Sequence, residues 1–245
     1  MKPILWALSV VVAVFAMIPA MAAEVSDAER RQIESVVKDY LIKNPEVIVD
    51  ALRAYDSKRQ AAAEKEAQQA IITNRAALES EPTSPVVGNP KGDVTIVEFF
   101  DYHCGYCKKV LPTVQEALKA DPKIRAVLKD LPILGPGSQQ AALAGQAVWT
   151  IDPAKFFDFH VALLQSRGAL DETTIMDTAK KVGIDPAKLK TAMADPALKA
   201  KIDANLDLAQ KLNINGTPAF IVGDQLLPGA VDLDTLKQAI ADARR

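Results

Sequence analysis

The chain has 245 residues, 49% of them hydrophobic, with 29 basic side chains against 31 acidic ones. That length and apolar content are enough to bury a core and to build one large or two modest domains. The net charge of −2, with both signs interspersed, offers no basic field for nucleic acid, which is excluded as a partner class.

In chain order, the first segment reads as a secretory signal. Lys2 supplies the positive start, Ile4 to Ile18 is an almost unbroken apolar run, and Ala20-Met21-Ala22 supplies the small residues of a cleavage site. The run is short for a membrane span of about 20 residues. Residues 1–22 are therefore expected to be removed, with cleavage after Ala22 or Ala23 and export of the remainder.

Residues 23–80 read as a helical region. Ser26-Asp27-Ala28-Glu29 has the spacing of a capping box. Ile33, Val36, Val37, Tyr40 and Leu41 recur at helical spacing, and Asn44-Pro45 then interrupts. Val47, Ile48, Ala51, Leu52 and Tyr55 form a second stripe, followed by good helix formers from Arg59 to Ala77. So narrow an apolar face has little of its own to pack on. It either docks on the following domain or pairs with copies of itself.

Glu81-Pro82-Thr83-Ser84-Pro85 marks a linker, placed at residues 81–87, and residues 88–245 form the second domain. Val94 to Phe100 is rich in β-branched and aromatic residues and reads as a strand. Cys104 to Ala120 reads as a helix and Ile124 to Leu131 as a second strand, which together make a βαβ unit. Residues 138–212 are helical throughout, with Pro153, Pro186 and Pro196 near helix starts. A short strand, Ala219 to Val222, turns at Gly223-Asp224 into its partner, Gln225 to Leu227. Asp232 then caps a last helix from Leu233 to Ala243.

The chain has only two cysteines, Cys104 and Cys107, in Cys104-Gly105-Tyr106-Cys107, directly after a strand and at the start of a helix. A bridge between them closes a tiny loop and removes little chain entropy from the unfolded state, so it is a poor staple. As chemistry the placement is better. Unpaired backbone N–H groups at a helix N-terminus favour a thiolate, so Cys104 is expected there with an exposed sulfur. Cys107, one turn further in, lies within bridging reach. Structural zinc usually needs four ligands, and the only histidines are His103 and His160. No cofactor is expected beyond a redox-active Cys104–Cys107 disulfide, although two thiolates also suit Cu(I).

The strand, the CxxC at a helix start and the late Thr217-Pro218 before a hairpin resemble the thioredoxin superfamily, specifically its DsbA-like branch with a helical insertion. The fold class is then α/β, thioredoxin-like, behind an α-helical N-terminal segment. The resemblance implies that Pro218 is cis, with Thr217 beside Cys104. Thr217 and Pro218, with Gly105, Tyr106 and His103 of the cysteine motif, are the expected substrate-binding residues. The resemblance also implies that Glu98 is a buried acid that accepts and returns the proton of Cys107. From the residues alone Glu98 could equally point outward, and Lys129 is a candidate ion-pair partner for it. Thr217 before the proline is similar to the disulfide isomerases DsbC and DsbG.

Tyr40-Leu41-Ile42-Lys43-Asn44-Pro45-Glu46 and the helix after it resemble the N-terminal region of ScsC-like proteins. This implies a periplasmic disulfide isomerase or reductase, a homo-oligomer through residues 23–80, with a trimer expected over a dimer. Its partners would be unfolded or misdisulfided exported proteins and a membrane thiol–disulfide redox protein. The alternatives are a simple dithiol oxidase and a Cu(I)-binding protein of copper tolerance.

Overall fold

A computed structural model describes residues 25–245. The signal segment and its cleavage site, residues 1–22 with Ala23, lie outside the described residues. The chain divides into two compact units, the first ending at Lys58 and the second running Arg59–Arg245.

In the first unit, α1 (Asp27–Lys43) opens with the expected capping box: Ser26 Oγ accepts from Glu29 N at 3.3 Å, and Glu29 Oε2 accepts from Ser26 N at 2.9 Å. α1 buries no residue; Ile33, Val36, Val37 and Tyr40 are all exposed. α2 (Glu46–Thr73) follows the break at Asn44-Pro45, and Ile48, Leu52 and Tyr55 on it are exposed too.

The second unit is built on five strands: β1 (Val86–Gly88), β2 (Val94–Phe100), β3 (Ile124–Asp130), β4 (Ala219–Val222) and β5 (Gln225–Pro228). They are ordered β1-β3-β2-β4-β5, with β2 and β3 parallel and the other pairs antiparallel. α4 (Gly105–Ala120) is the crossover between β2 and β3. The helical insertion comprises α5 (Pro136–Ile151), α6 (Phe156–Leu164), α7 (Glu172–Lys181), α8 (Pro186–Met193) and α9 (Pro196–Lys211), and α10 (Leu233–Ala243) closes the chain. α3 (Arg75–Glu79) is a single turn after α2. Pro186 and Pro196 stand at helix starts behind the capping carboxylates of Asp185 and Asp195. Asp232 accepts from Thr235 N at the head of α10. Each such cap contributes about 1 kcal/mol.

β2 is buried on both faces from Ile96 through Phe100, as expected for a strand covered by helices on each side. Val97 and Phe99 pack with Val127, Leu208, Leu212 and Ile221. On the other face Phe100 packs with Leu128, Cys107, Leu111 and the insertion helices, and Ile96 with Val110, Phe220 and Leu236.

Two boundaries differ from those expected. β1 begins at Val86, inside the segment taken as linker, and Ser84 before it is only 5% exposed. Ile71 and Leu78, within the stretch assigned to the N-terminal region, are fully buried in the core of the second unit. That unit therefore starts near Arg59 rather than at 88. The run of Ala, Gln, Glu and Lys around Ile71 disguises the contact, because Ile71 is the one residue that α2 buries.

Gly145 on α5 marks a tight approach: a Cβ there would stand 2.7 Å from the Tyr102 hydroxyl. Alanine in mid-helix gains about 1 kcal/mol of propensity over glycine, but overpacking against a rigid ring costs about 1–3 kcal/mol. Gly145→Ala is expected to destabilise the protein by about 1 kcal/mol, read as a lower urea midpoint at unchanged slope. A raised midpoint contradicts the packing.

Candidate active site

Cys104 is the N-cap residue of α4, in extended backbone (φ −72°, ψ 118°), so its side chain sits where the first-turn N–H groups point outward. Its Sγ donates to the Thr217 carbonyl at 3.2 Å. The Thr217–Pro218 peptide bond is cis, and the Pro218 carbonyl accepts from Gly229 N at 2.8 Å. The two sequence signals, 113 positions apart, thus meet at one atom pair. Cys104 is not the open sulfur expected: the residue is 6% exposed, recessed behind the Thr217 backbone. His103, Gly105 and Tyr106 are exposed around it, Tyr106 by 64%.

Cys107 is completely buried, and both cysteines are free thiols. Burial pushes the Cys107 thiol well up, and the Glu98 charge pushes the same way. A hydrogen bond to Asp101 and one with the Thr217 side chain oppose the rise.

Glu98 is 4% exposed and faces the layer that holds Cys107, so the outward orientation is ruled out. Burial alone pushes its carboxyl up to about 8. The suggested ion pair with Lys129 does not form. In the β2–β3 register Glu98 lies opposite Leu128, whereas Lys129 lies opposite Phe99 and so takes the other face. There Lys129 Nζ donates to Ser84 Oγ at 2.7 Å, and Ser84 Oγ donates to Glu81 Oε2 at 2.6 Å.

Sequence reasoning missed Asp101. Its Oδ1 accepts from His103 N at 2.7 Å, and its Oδ2 accepts from Ile133 N and Leu134 N at 3.0 Å each. One carboxylate therefore ties the loop entering the cysteine motif to the loop after β3. An aspartate two residues before the peptide N–H it binds is an Asx-turn signal, and Asp101-Tyr102-His103 carried it. His160 is fully buried against Phe100, Tyr102 and Phe156, and burial pulls its imidazole down to about 3. Its Nδ1 stands 3.3 Å from the Tyr102 hydroxyl.

Two sulfurs at this spacing, one at a helix entrance and one buried beside a carboxyl, can pass a disulfide to or from a polypeptide. Among the described residues no group of three or more His, Cys, Asp or Glu side chains is placed to hold a metal. None of the described helices is long and apolar enough to cross a membrane.

Residues 95–241 match the family described as DSBA-like thioredoxin domain, and residues 29–62 match the copper resistance protein ScsC N-terminal domain. Over 166 residues the chain is 31% identical to disulfide bond formation protein D of Bacillus subtilis (strain 168), covering 64% of this chain and 75% of that protein. A thioredoxin-like oxidoreductase from Silicibacter pomeroyi DSS-3 is 44% identical, with a TM-score of 0.67 over 70% of this chain and 98% of that one. ScsC of Proteus mirabilis in a transitional conformation aligns with a TM-score of 0.67 at 32% identity, over 89% of this chain and 98% of its own. With the CxxC–cis-proline geometry in place and the match extending through β2 to α10, the chain belongs to the DSBA-like thioredoxin family of thiol–disulfide oxidoreductases, preceded by an ScsC-type N-terminal segment.

Proposed function

We propose that the protein is a periplasmic disulfide isomerase or reductase of exported proteins, working as a homo-oligomer, a trimer, assembled through its N-terminal region. The observation that carries the chemistry is the contact of Cys104 Sγ with the Thr217 carbonyl at the head of α4. The exposed apolar side chains Ile33, Val36, Val37, Tyr40, Ile48, Leu52 and Tyr55 support self-association, because apolar surface gains free energy by being covered.

In the proposed cycle the Cys104 thiolate attacks a wrong substrate disulfide. One substrate sulfur leaves as a thiolate and the other is held in a mixed disulfide. Attack on that bond by a different substrate thiolate releases Cys104 and leaves the substrate rearranged, with no net oxidation. If no substrate thiol arrives, Cys107 gives its proton to Glu98 in its ionised form, the minor form below about pH 8, and displaces the substrate sulfur. The substrate is then reduced by two electrons and a Cys104–Cys107 disulfide remains. A membrane thiol–disulfide partner must return those two electrons for the next turn.

Refolding of scrambled ribonuclease tests the direction of exchange. The reduced protein is expected to restore ribonuclease activity from the scrambled form, with light scattering giving the mass of three chains. Oxidation of reduced ribonuclease without rescue of the scrambled form leaves a dithiol oxidase instead, and the mass of one chain removes the oligomer.

A further inference from the structure

The mechanism above leaves the buried carboxyl of Asp130 unused. Asp130, the last residue of β3, is 1% exposed, and Gln146 on α5 is 2% exposed. Gln146 Nε2 donates to Asp130 Oδ2 at 2.7 Å. The other two oxygens, Asp130 Oδ1 and Gln146 Oε1, are buried and have no hydrogen-bond partner when the acid is treated as a carboxylate. Two acceptor oxygens cannot bond to each other, and a buried carboxylate held only by the Gln146 amide and its own backbone N–H is costly. A single proton on Oδ1 resolves both vacancies at once. A carboxylic acid and a primary amide are complementary at two points: amide N–H to acid oxygen, and acid O–H to amide oxygen.

We propose that Asp130 is carried as the neutral acid in a two-point acid–amide pair with Gln146, and that this neutrality lets Asp101 hold the Cys104 loop. The second half follows from position. Asp130 is paired in register with Phe100, the residue before Asp101. Burial is the largest influence on Asp130 and pushes it up to about 7. The Gln146 hydrogen bond and one from the Asp130 backbone oppose this, and the neighbouring Asp101 charge adds to it. Of the other charged groups around it, Lys129 pulls the other way but points to the opposite sheet face, where it binds Ser84. Tyr102 feels both Asp130 and Glu98 and is held well up, chiefly by burial. His160 against Tyr102 is neutral. Asp101 already serves three backbone N–H groups as an acceptor. Of two adjacent buried carboxyls, one can be charged cheaply and the second cannot. Asp130, which has fewer donors than Asp101, is the neutral one. Ionising Asp130 would lose the bond to Gln146 Oε1 and set two like charges against each other at the anchor of the active-site loop.

Asn in place of Asp130 keeps both hydrogen bonds to Gln146, through its own N–H and C=O, and cannot ionise. The first test is the infrared difference spectrum of wild type against Asp130→Asn at about pH 5.5, where an ordinary aspartate is almost wholly ionised. The Glu98 acid is common to both proteins and cancels, so the difference spectrum should show one protonated-carboxyl stretch that the wild type has and the variant lacks. Its absence from the wild type overturns the proposal. Should the variant fail to fold, carboxyl-carbon NMR of wild-type protein labelled at aspartate asks the same question. One aspartyl carbon must keep its acid shift at that pH, and a spectrum in which none does overturns the proposal.

The second test rests on the exchange activity proposed above. The ratio of exchange rates, Asp130→Asn over wild type, should be near one at about pH 6 and rise several-fold above about pH 8, as wild-type Asp130 ionises. A flat ratio overturns the link to Asp101. Because the spectroscopy needs no activity, loss of the exchange reading alone leaves the first result standing.

Discussion

Replacing Cys104 with alanine is expected to reduce disulfide exchange to the uncatalysed background, whereas replacing Cys107 with alanine should leave attack intact and trap its product. The asymmetry comes from placement. Cys104 caps α4 at the rim formed by His103, Gly105 and Tyr106, so negative charge developing on its sulfur meets the free N–H groups of the first turn. Cys107 is wholly buried and held as a thiol by that burial, so no substrate reaches it and it has little thiolate to offer. It acts only when a mixed disulfide brings Cys104 within its reach. The Cys107→Ala protein should therefore accumulate covalent adducts with substrate, seen as slow bands on non-reducing gels and removed by dithiothreitol. Iodoacetamide should label Cys104 alone in the native protein and both cysteines in urea. If Cys107 is labelled first, or if the Cys104→Ala protein is the one that traps substrate, the roles are reversed and the site reading fails.

The frame of this site was legible in the sequence because its signals are local. β2 and β3 announce themselves by β-branched runs, α4 by its period and α10 by Asp232, and the cysteine motif lies between the first two. What was not legible depends on register and depth. Burial of β2 on both faces erases the alternation that would have shown which way Glu98 points, so only pairing with β3 sends it to the Cys107 side and Lys129 to the other. The same register brings Asp130 level with Phe100, and nothing in a lone Lys129-Asp130 reveals that one is solvated by Ser84 and the other closed in with Gln146. The recessed position of Cys104 is set by Thr217, which the sequence could place nearby only through a family resemblance. Three-residue β1 was lost among prolines and glycines that read as linker.

Glu98→Gln should show a second large effect, on two separate readouts with opposite sign. With its carboxyl pushed up to about 8, Glu98 keeps a proton in the fold that it has already lost in the unfolded chain. Between its ordinary value of 4.5 and about 8, the native state binds one more proton than the unfolded state. Stability therefore falls as pH rises through that window; the contribution is complete below 4.5 and gone once pH passes the folded value. Glutamine removes the slope. Relative to wild type, the variant should gain stability steadily from about pH 5 to about pH 8, by up to a few kcal/mol in urea melts. The slope that survives belongs in part to Asp130, and a Glu98→Gln, Asp130→Asn double variant should flatten it further. In catalysis the same substitution takes away the group placed to receive the Cys107 proton. Release of the mixed disulfide should slow by about 10²–10⁴-fold, the usual worth of a general base, while the first attack by Cys104 is unchanged. Stopped-flow decay of a preformed adduct measures that step directly. Parallel pH–stability curves for the two proteins would mean that Glu98 is ionised in the fold. A more stable variant with unaltered adduct decay would leave Glu98 buried near Cys107 with no part in moving its proton.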